Sequence, residues 1–388
     1  LLPKVAVQQE QLGTGDAVRA GLAATEISVD DNGTVLILFG DTPLLTEETI
    51  RSLMQARVAT DAPGVVVLGF RTPAPGAYGR LIVDADGHLQ SIVEAKDASP
   101  AELALELCNS GLMAVEAGLL PAMLTKLTND NANGEYYLTD IVKMAAERGY
   151  SSTYVQCEED ECIGVNSQLE LSVAERKFQD DFRKKLMASG VSMPSPETCF
   201  FSHDTVIKSG CVIEPNVVFG TGVEIRNSTI IRSHSYIEET QIGRHCQIGP
   251  FARLRPGTNL LDEVKVGNFV EIKNSTLATD TKVNHLSYVG DAKVGTRTNI
   301  GAGTIFCNYD GKNKHRTVVG DNVFVGSNVS LIAPLKIGNA SIVAAGSAIN
   351  RNVPSESLAI ARPIQQNKIG LGKKIMLKLQ KVADKVIR

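Results

Sequence analysis

From Ile207 onward an apolar side chain returns at every sixth position. The first run is Ile207, Ile213, Phe219, Ile225, Ile231 and Ile237. A second is Ile242, Ile248, Leu254, Leu260, Val266 and Ile272, and a third is Val319, Val325, Leu331, Ile337, Val343 and Ile349. Glycine often follows, as in Ile242-Gly243, Ile248-Gly249, Val266-Gly267, Val325-Gly326 and Ile337-Gly338. One short strand per repeat and three repeats per coil predict a parallel β-helix, a triangular prism with an aliphatic residue inside at every sixth position. The register slips at three five-residue steps, Ile237 to Ile242, Ile272 to Leu277 and Val289 to Val294. Thirteen residues separate Phe306 from Val319, so Cys307 to Val318 is expected to leave the prism as a loop. Loops held by a rigid scaffold commonly carry function.

The first ~165 residues follow a different pattern, with apolar runs alternating with helical stretches. Thr34 to Phe39 and Gly64 to Gly69 read as buried parallel strands, and Thr46 to Ala56 and Gly118 to Leu127 as helices. That alternation predicts an open α/β sheet with ligands at the carboxyl ends of its strands. Asn166 to Ser189 has helical periodicity and many charges, which predicts a connecting helix. The boundaries read from these patterns are 1–167, a linker helix 168–190, a prism 191–365 and a basic tail 366–388. The tail places Ile375, Leu379, Val382 and Val386 against Lys373, Lys374, Lys378, Lys381 and Lys385. A helix packed on an assembly and a membrane-surface helix both fit it.

At 388 residues the chain exceeds one ordinary core. No apolar run reaches ~18 residues, so no membrane span is expected, and Leu1-Leu2-Pro3-Lys4 lacks the make-up of a signal peptide. A net charge of −4 gives no electrostatic reason to expect nucleic acid. The seven cysteines stand singly, without a Cys-x-x-Cys pair, which fits reduced thiols and a cytoplasmic location.

The register allows side chains to be stacked. Residues eighteen apart lie on neighbouring coils, about 4.8 Å apart. Arg255 and Lys273 are such a pair, with Glu271, His285, Tyr288 and Asn299 in the same or the next two coils. Two stacked cations repel unless an anion neutralises them, and a dianionic sugar phosphate would do so. A lone histidine is commonly structural. Beside a phosphate site, His285 becomes a candidate general base, since its ordinary pKa of ~6.5 suits proton removal near neutrality. The six histidines show no ligand-like pair within the helix, so metal hydrolysis is not expected.

The segments Gly249 to Gly257, Val266 to Glu271, Asn299 to Thr304 and Cys307 to Lys314 resemble the bacterial bifunctional N-acetylglucosamine-1-phosphate uridyltransferase and glucosamine-1-phosphate N-acetyltransferase family. The resemblance runs over nearly the whole chain. It implies a Rossmann-like nucleotidyltransferase domain joined by a helix to a left-handed parallel β-helix, in a homotrimer. It further implies that Arg255, Lys273, Tyr288 and Asn299 hold glucosamine 1-phosphate, that His285 is the acetyl-transfer base, and that Ala302, Asn308, Tyr309, Ser327, Ala345 and Arg362 bind acetyl-CoA. In the first half, Gln8 to Gly15 resembles the family's uridine-binding turn, and Tyr78 to Arg80, Ile92 to Asp97, Asn109 to Gly111 and Gly134 to Asp140 resemble its sugar and ribose contacts. The residues so implied for UTP and N-acetylglucosamine 1-phosphate are Lys4, Gln8, Gly13, Thr14, Phe39, Gly40, Asp41, Gly79, Glu94, Asn109 and Asn166. Asp41 and Asn166 would hold Mg²⁺. Phe39 stands where the family often has Tyr.

Two other readings stay open at this level. A sugar nucleotidyltransferase with a purely structural prism would not need Arg255, Lys273 and His285 together. A non-catalytic trimeric scaffold would bind no acetyl-CoA. Finally, Leu2-Pro3-Lys4-Val5 resembles the family segment just after a glycine-rich phosphate loop, and Ala6-Val7-Gln8-Gln9 the lead-in to the uridine turn. A strand and helix normally separate these, so a glycine-rich loop before Leu1 and a segment between Val5 and Ala6 are expected in addition.

Overall fold

The computed structural model describes residues 3–25 and 33–386, with side chains up to residue 382. Leu1, Leu2, Arg388 and the side chains of Lys385 and Val386, used in the sequence argument, lie outside the described residues. Contacts divide the chain into two compact units, residues 1–178 and 179–388.

Among the described residues the first unit has six strands: β1 (Thr34–Ile37), β2 (Val65–Arg71), β3 (Arg80–Val83), β4 (Leu89–Val93), β5 (Leu107–Glu116) and β6 (Ser152–Cys157). Their order is β4-β3-β5-β2-β6, with β1 also against β5. The expected parallel sheet is corrected to a mixed one. Among the described residues only β2 and β6 run parallel, while β1 and β2 both pair antiparallel with β5. β2 is buried from Val65 to Phe70 because both of its faces are covered. Val66, Leu68 and Phe70 pack with Leu53 of the helix Glu47–Arg57, and Val65 and Val67 pack with Leu120, Ile141 and Val142. A strand with two apolar environments reads as an unbroken apolar run. β1 is half-buried, pairing on one side only among the described residues. The expected helix Gly118 to Leu127 is shorter, Leu120–Leu124. The β3–β4 hairpin has no counterpart in the sequence reading. Val5 and Ala6 are consecutive in an irregular stretch leading to the helix Thr14–Ala23, and among the described residues no strand precedes Thr34.

The second unit is the expected β-helix, of three parallel sheets with eight, nine and eight strands. Face one runs from Val206–Ile207 to Leu335–Ile337, face two from Val212–Ile213 to Leu358–Ala359, and face three from Val218–Phe219 to Ala348–Ile349. The sixth-position residues point inward into one continuous core. At most corners the residue three after the inward one takes a left-handed conformation, as at His234, Phe251, Phe269 and Leu286 with φ of 62°, 55°, 55° and 50°. The five-residue steps explain themselves here. After Ile237, Ile272 and Val289 the left-handed residue comes two positions on, at Glu239, Asn274 and Asp291. One corner residue is omitted, and the inward alternation survives. The glycines that follow inward residues let coils approach. A Cβ on Gly326 would lie 2.5 Å from the Ala345 nitrogen, and one on Gly267 would run into the Asn284 carbonyl.

The expected loop Cys307 to Val318 is narrower. Cys307 pairs with Ile332, and Thr317 and Val318 pair with Leu335 and Lys336, so ladder hydrogen bonds capture both flanks and the excursion is Asn308 to Arg316. At its start the prism is closed by stacked Phe182, Phe201 and Phe219, and by Gln179 bonded to both backbone groups of Phe201. Gln179 and Phe182 come from the linker helix Gln168–Ala188, and Phe201 and Phe219 from the prism's first coil. The tail forms a helix, Leu371–Val386, with Ile375, Leu379 and Val382 exposed.

Candidate active sites

In the second unit, Leu254 pairs with Ile272, which sets Arg255 beside Lys273 as expected. The stack is not bare: the Glu271 carboxylate lies 2.6 Å from the Arg255 guanidinium. Lys273 instead meets Lys314, delivered by the excursion loop. The close approach of Lys314, whose like charge repels it, then desolvation and Arg255, hold the Lys273 ammonium below the ordinary lysine range. Three cations, Arg255, Lys273 and Lys314, thus stand with two carboxylates, Glu271 on Arg255 and Asp291 near Lys273, which leaves a net positive charge suited to an anion. Tyr288 stands next to Glu271 on face three. Buried Asn308 donates to Asp291 at 2.5 Å and to the Tyr288 hydroxyl at 3.4 Å. The loop is organised by Asp310, which accepts from the amides of Asn313 and Lys312 and from His315, and these bonds hold its carboxyl well below the usual range.

His285 sits at the corner between faces two and three. Its Nδ1 is 3.0 Å from Oδ1 of Asn268, its partner in the neighbouring strand. An amide oxygen only accepts, so Nδ1 carries the proton and Nε2 presents the lone pair. The same corner position, two residues past the inward one, holds Asn268, His285, Ala302, Ser327 and Ala345 in successive coils. Backbone bonds tie the corners together: Gly303 donates to the carbonyl of His285, Asn328 to Ala302 and Gly346 to Ser327. Arg362 closes the column by donating to the Ala345 carbonyl at 2.8 Å. Exposed Tyr309 lies in the loop, its hydroxyl on the Gly311 carbonyl. Asn299 does not join the cation cluster within one chain. It projects on face two beside Lys282, whereas Tyr288 projects on face three.

In the first unit a cleft of about 450 Å³ brings together Thr14, Phe39, Asp41, Gly79, Glu94, Asn109 and Asn166. Its floor is the turn before the helix Thr14–Ala23. Gly13 has φ 103°, a conformation that favours glycine, and Tyr136 bonds Leu12 and Gly15 through its amide and carbonyl. Gln8 donates to the Gly13 carbonyl and to Asp16, which places it against this turn. Glu94 accepts from Thr139 at 3.2 Å. Burial raises its carboxyl pKa against that hydrogen bond, and Asp97, Asp140 and Glu135 add to the rise. Asn109 accepts the Gly111 amide, and the Phe39 ring lies where a Gly111 Cβ would stand. The Asp41 carbonyl accepts the Val165 amide, and Asp41 and Asn166 side chains both lie within 4 Å of a Cβ built on Gly164. A carboxylate and an amide, both reaching the same edge of the cleft, suit a hard cation that takes its remaining ligands from phosphates and water. Gly40 is exposed beside the cleft, and Lys4 is exposed in the irregular start without a contact to it.

Sequence reasoning missed Asn268 and Lys314 as parts of the prism site, and Thr139 as the partner of Glu94. The seven cysteines are free but do not all stand singly, since the Cys157 and Cys162 thiols are 3.3 Å apart. No described helix is long and apolar enough to cross a membrane.

The bacterial transferase hexapeptide family (six repeats) matches residues 316–351. A protein of Zymomonas mobilis named bifunctional protein GlmU is 47% identical over 381 residues, covering 98% of this chain and 84% of that protein. Proteins of the same name from Jannaschia sp. and Sphingopyxis alaskensis are 47% and 49% identical. They cover 97% and 95% of this chain and 82% and 80% of their own lengths.

Proposed function

The chain belongs to the family of bifunctional GlmU proteins, acetyl- and uridyltransferases of UDP-N-acetylglucosamine synthesis, and from that premise we propose that its two units divide the two reactions. The second unit transfers acetyl from acetyl-CoA to glucosamine 1-phosphate, and the first joins N-acetylglucosamine 1-phosphate to UTP with release of pyrophosphate. The observation that carries this reading is the corner column of Asn268, His285, Ala302, Ser327 and Ala345 beside the cations Arg255, Lys273 and Lys314.

In the acetyl site, the three cations and Tyr288 hold the sugar phosphate. Asn268 fixes the imidazole so that Nε2 takes the proton from the sugar amine. The amine nitrogen then bonds to the thioester carbon, and the carbon–sulfur bond breaks to release the thiol of CoA. Ala302, Ser327, Ala345 and Arg362 line the edge along which acetyl-CoA lies, with Asn308 and Tyr309 at the loop. Since Asn299 faces away from this cluster, a second copy supplies it. Exposed Phe251 and Phe269, stacked at 5.2 Å, support a face that another prism covers, and the assembly is a homotrimer.

In the uridyl site, Gly13 and Gln8 admit the base, and Gly79, Glu94 and Asn109 take the sugar. Asp41 and Asn166 would hold Mg²⁺, which neutralises charge on the transferring phosphate when bound. Functional boundaries of 1–167, 168–190, 191–365 and 366–388 accompany this reading, and the free cysteines support a reducing compartment such as the cytoplasm. Two separate assays test it: free CoA thiol from acetyl-CoA and glucosamine 1-phosphate, and pyrophosphate from UTP and N-acetylglucosamine 1-phosphate with Mg²⁺. Both signals are expected from the one chain. Pyrophosphate release without thiol release would leave the prism a structural element.

A further inference from the structure

Cys157 ends β6, half-buried, with its thiol 3.6 Å from the Gly69 carbonyl. Cys162 ends the short 3₁₀ turn Glu159–Cys162 and is buried. The two sulfurs are 3.3 Å apart, so a disulfide of ~2.05 Å needs them to close by only about 1.3 Å. The turn between them is pinned. Glu161 accepts from the Thr46 amide at 3.0 Å and from the Thr49 hydroxyl at 2.7 Å. Among the described residues no other thiol lies against a thiol. Cys162 also lines the first unit's cleft, next to Ser110, Gly164 and Asn166.

We propose that Cys157 and Cys162 form a reversible dithiol site that takes oxidants of the organic disulfide class and, once oxidised, disables the uridyl cleft. Half-buried Cys157 attacks one sulfur of the oxidant, forming a mixed disulfide and expelling one thiolate. Cys162 then attacks the Cys157 sulfur, forming the internal disulfide and expelling the second thiolate. The protein loses two electrons and two protons, and the oxidant is reduced to two thiols. The hydrogen bond with Cys157, then burial, holds the Cys162 thiol above the ordinary cysteine range, so the closing step speeds up as pH rises. Closure draws the Cys162 sulfur toward β6 and away from Ser110, two residues before the glycine that the Asp41 and Asn166 side chains flank.

The effect on activity rests on assigning uridylyl transfer to the first unit, and the chemistry of the pair does not. The full chain is treated with hydroxyethyl disulfide, mapped by peptide mass, and assayed for both reactions. The expected result is loss of two hydrogen atoms from the peptide holding residues 157 and 162. Pyrophosphate release should fall at least about fivefold and recover with dithiothreitol, with acetyl transfer unchanged. Cys157→Ser should keep its basal pyrophosphate release and resist the oxidant. A mixed disulfide that never closes would overturn the site, and an internal disulfide with full pyrophosphate release would overturn its link to the cleft. Should the reduced enzyme release no pyrophosphate, the assignment of the unit fails, while the mass map still decides the dithiol.

Discussion

The role proposed for His285 rests on the atom on the far side of its ring. With Nδ1–H spent on Asn268, the ring can accept a proton only at Nε2. Replacing it, His285→Ala, should lower acetyl transfer ~10²-fold or more and leave uridylyl transfer unchanged. CoA release within about twofold of the parent would remove His285 from the base role. Glu94 makes a second residue-scale case. Burial raises its folded pKa above the ordinary carboxylate value, so the stability it contributes is present below that value and is lost as pH rises through the folded pKa. Glu94→Gln should therefore raise the melting temperature increasingly as pH climbs above the ordinary carboxylate value, while weakening sugar-phosphate use. A melting difference that stays flat with pH would contradict this sign. At this scale the sequence reveals residues in contiguous motifs, such as His285 in Asn284 to Tyr288. Lys314 was hidden because no local spacing encodes where a loop side chain lands, whereas Asn268, one coil before His285 at the same corner, lay within reach of the stacking argument and was overlooked.

Among the elements, the prism was legible because its physics is local. Each coil repeats one requirement, an aliphatic residue inside and a tight corner after it. The first unit was less so: β1 and β2, two of the antiparallel partners of β5, read as parallel strands, because an apolar run fixes burial and not direction. The corner requirement can be tested by Gly267→Ala, whose new methyl would meet the Asn284 carbonyl of the next coil. Overpacking of that kind typically costs about 1–3 kcal/mol, and a backbone obstacle belongs at the upper end. The urea midpoint of the variant should fall accordingly. An unchanged midpoint would mean that the corner spreads without strain.

For the whole molecule, Asn299 and Tyr288 stand on different faces, so the acetyl site proposed for both of them would be a property of an assembly. Light scattering at micromolar concentration should give three times the chain mass. Refolding His285→Ala together with Asn299→Ala should restore roughly a quarter of the parent acetyl transfer, since one site in four would draw both intact residues from different copies. No recovery above the two separate variants would place both residues in one copy. The closed beginning and open end of the prism carry a consequence for heat. Phe182, Phe201 and Phe219 seal one end, whereas Leu358 and Ile360 stand exposed at the other. In a stack where each rung touches only its neighbours, melting erodes inward from the weaker end. The rungs of Arg362 and Ala345 would be shed before that of His285, so warming should weaken the grip on acetyl-CoA first and spare the base until last.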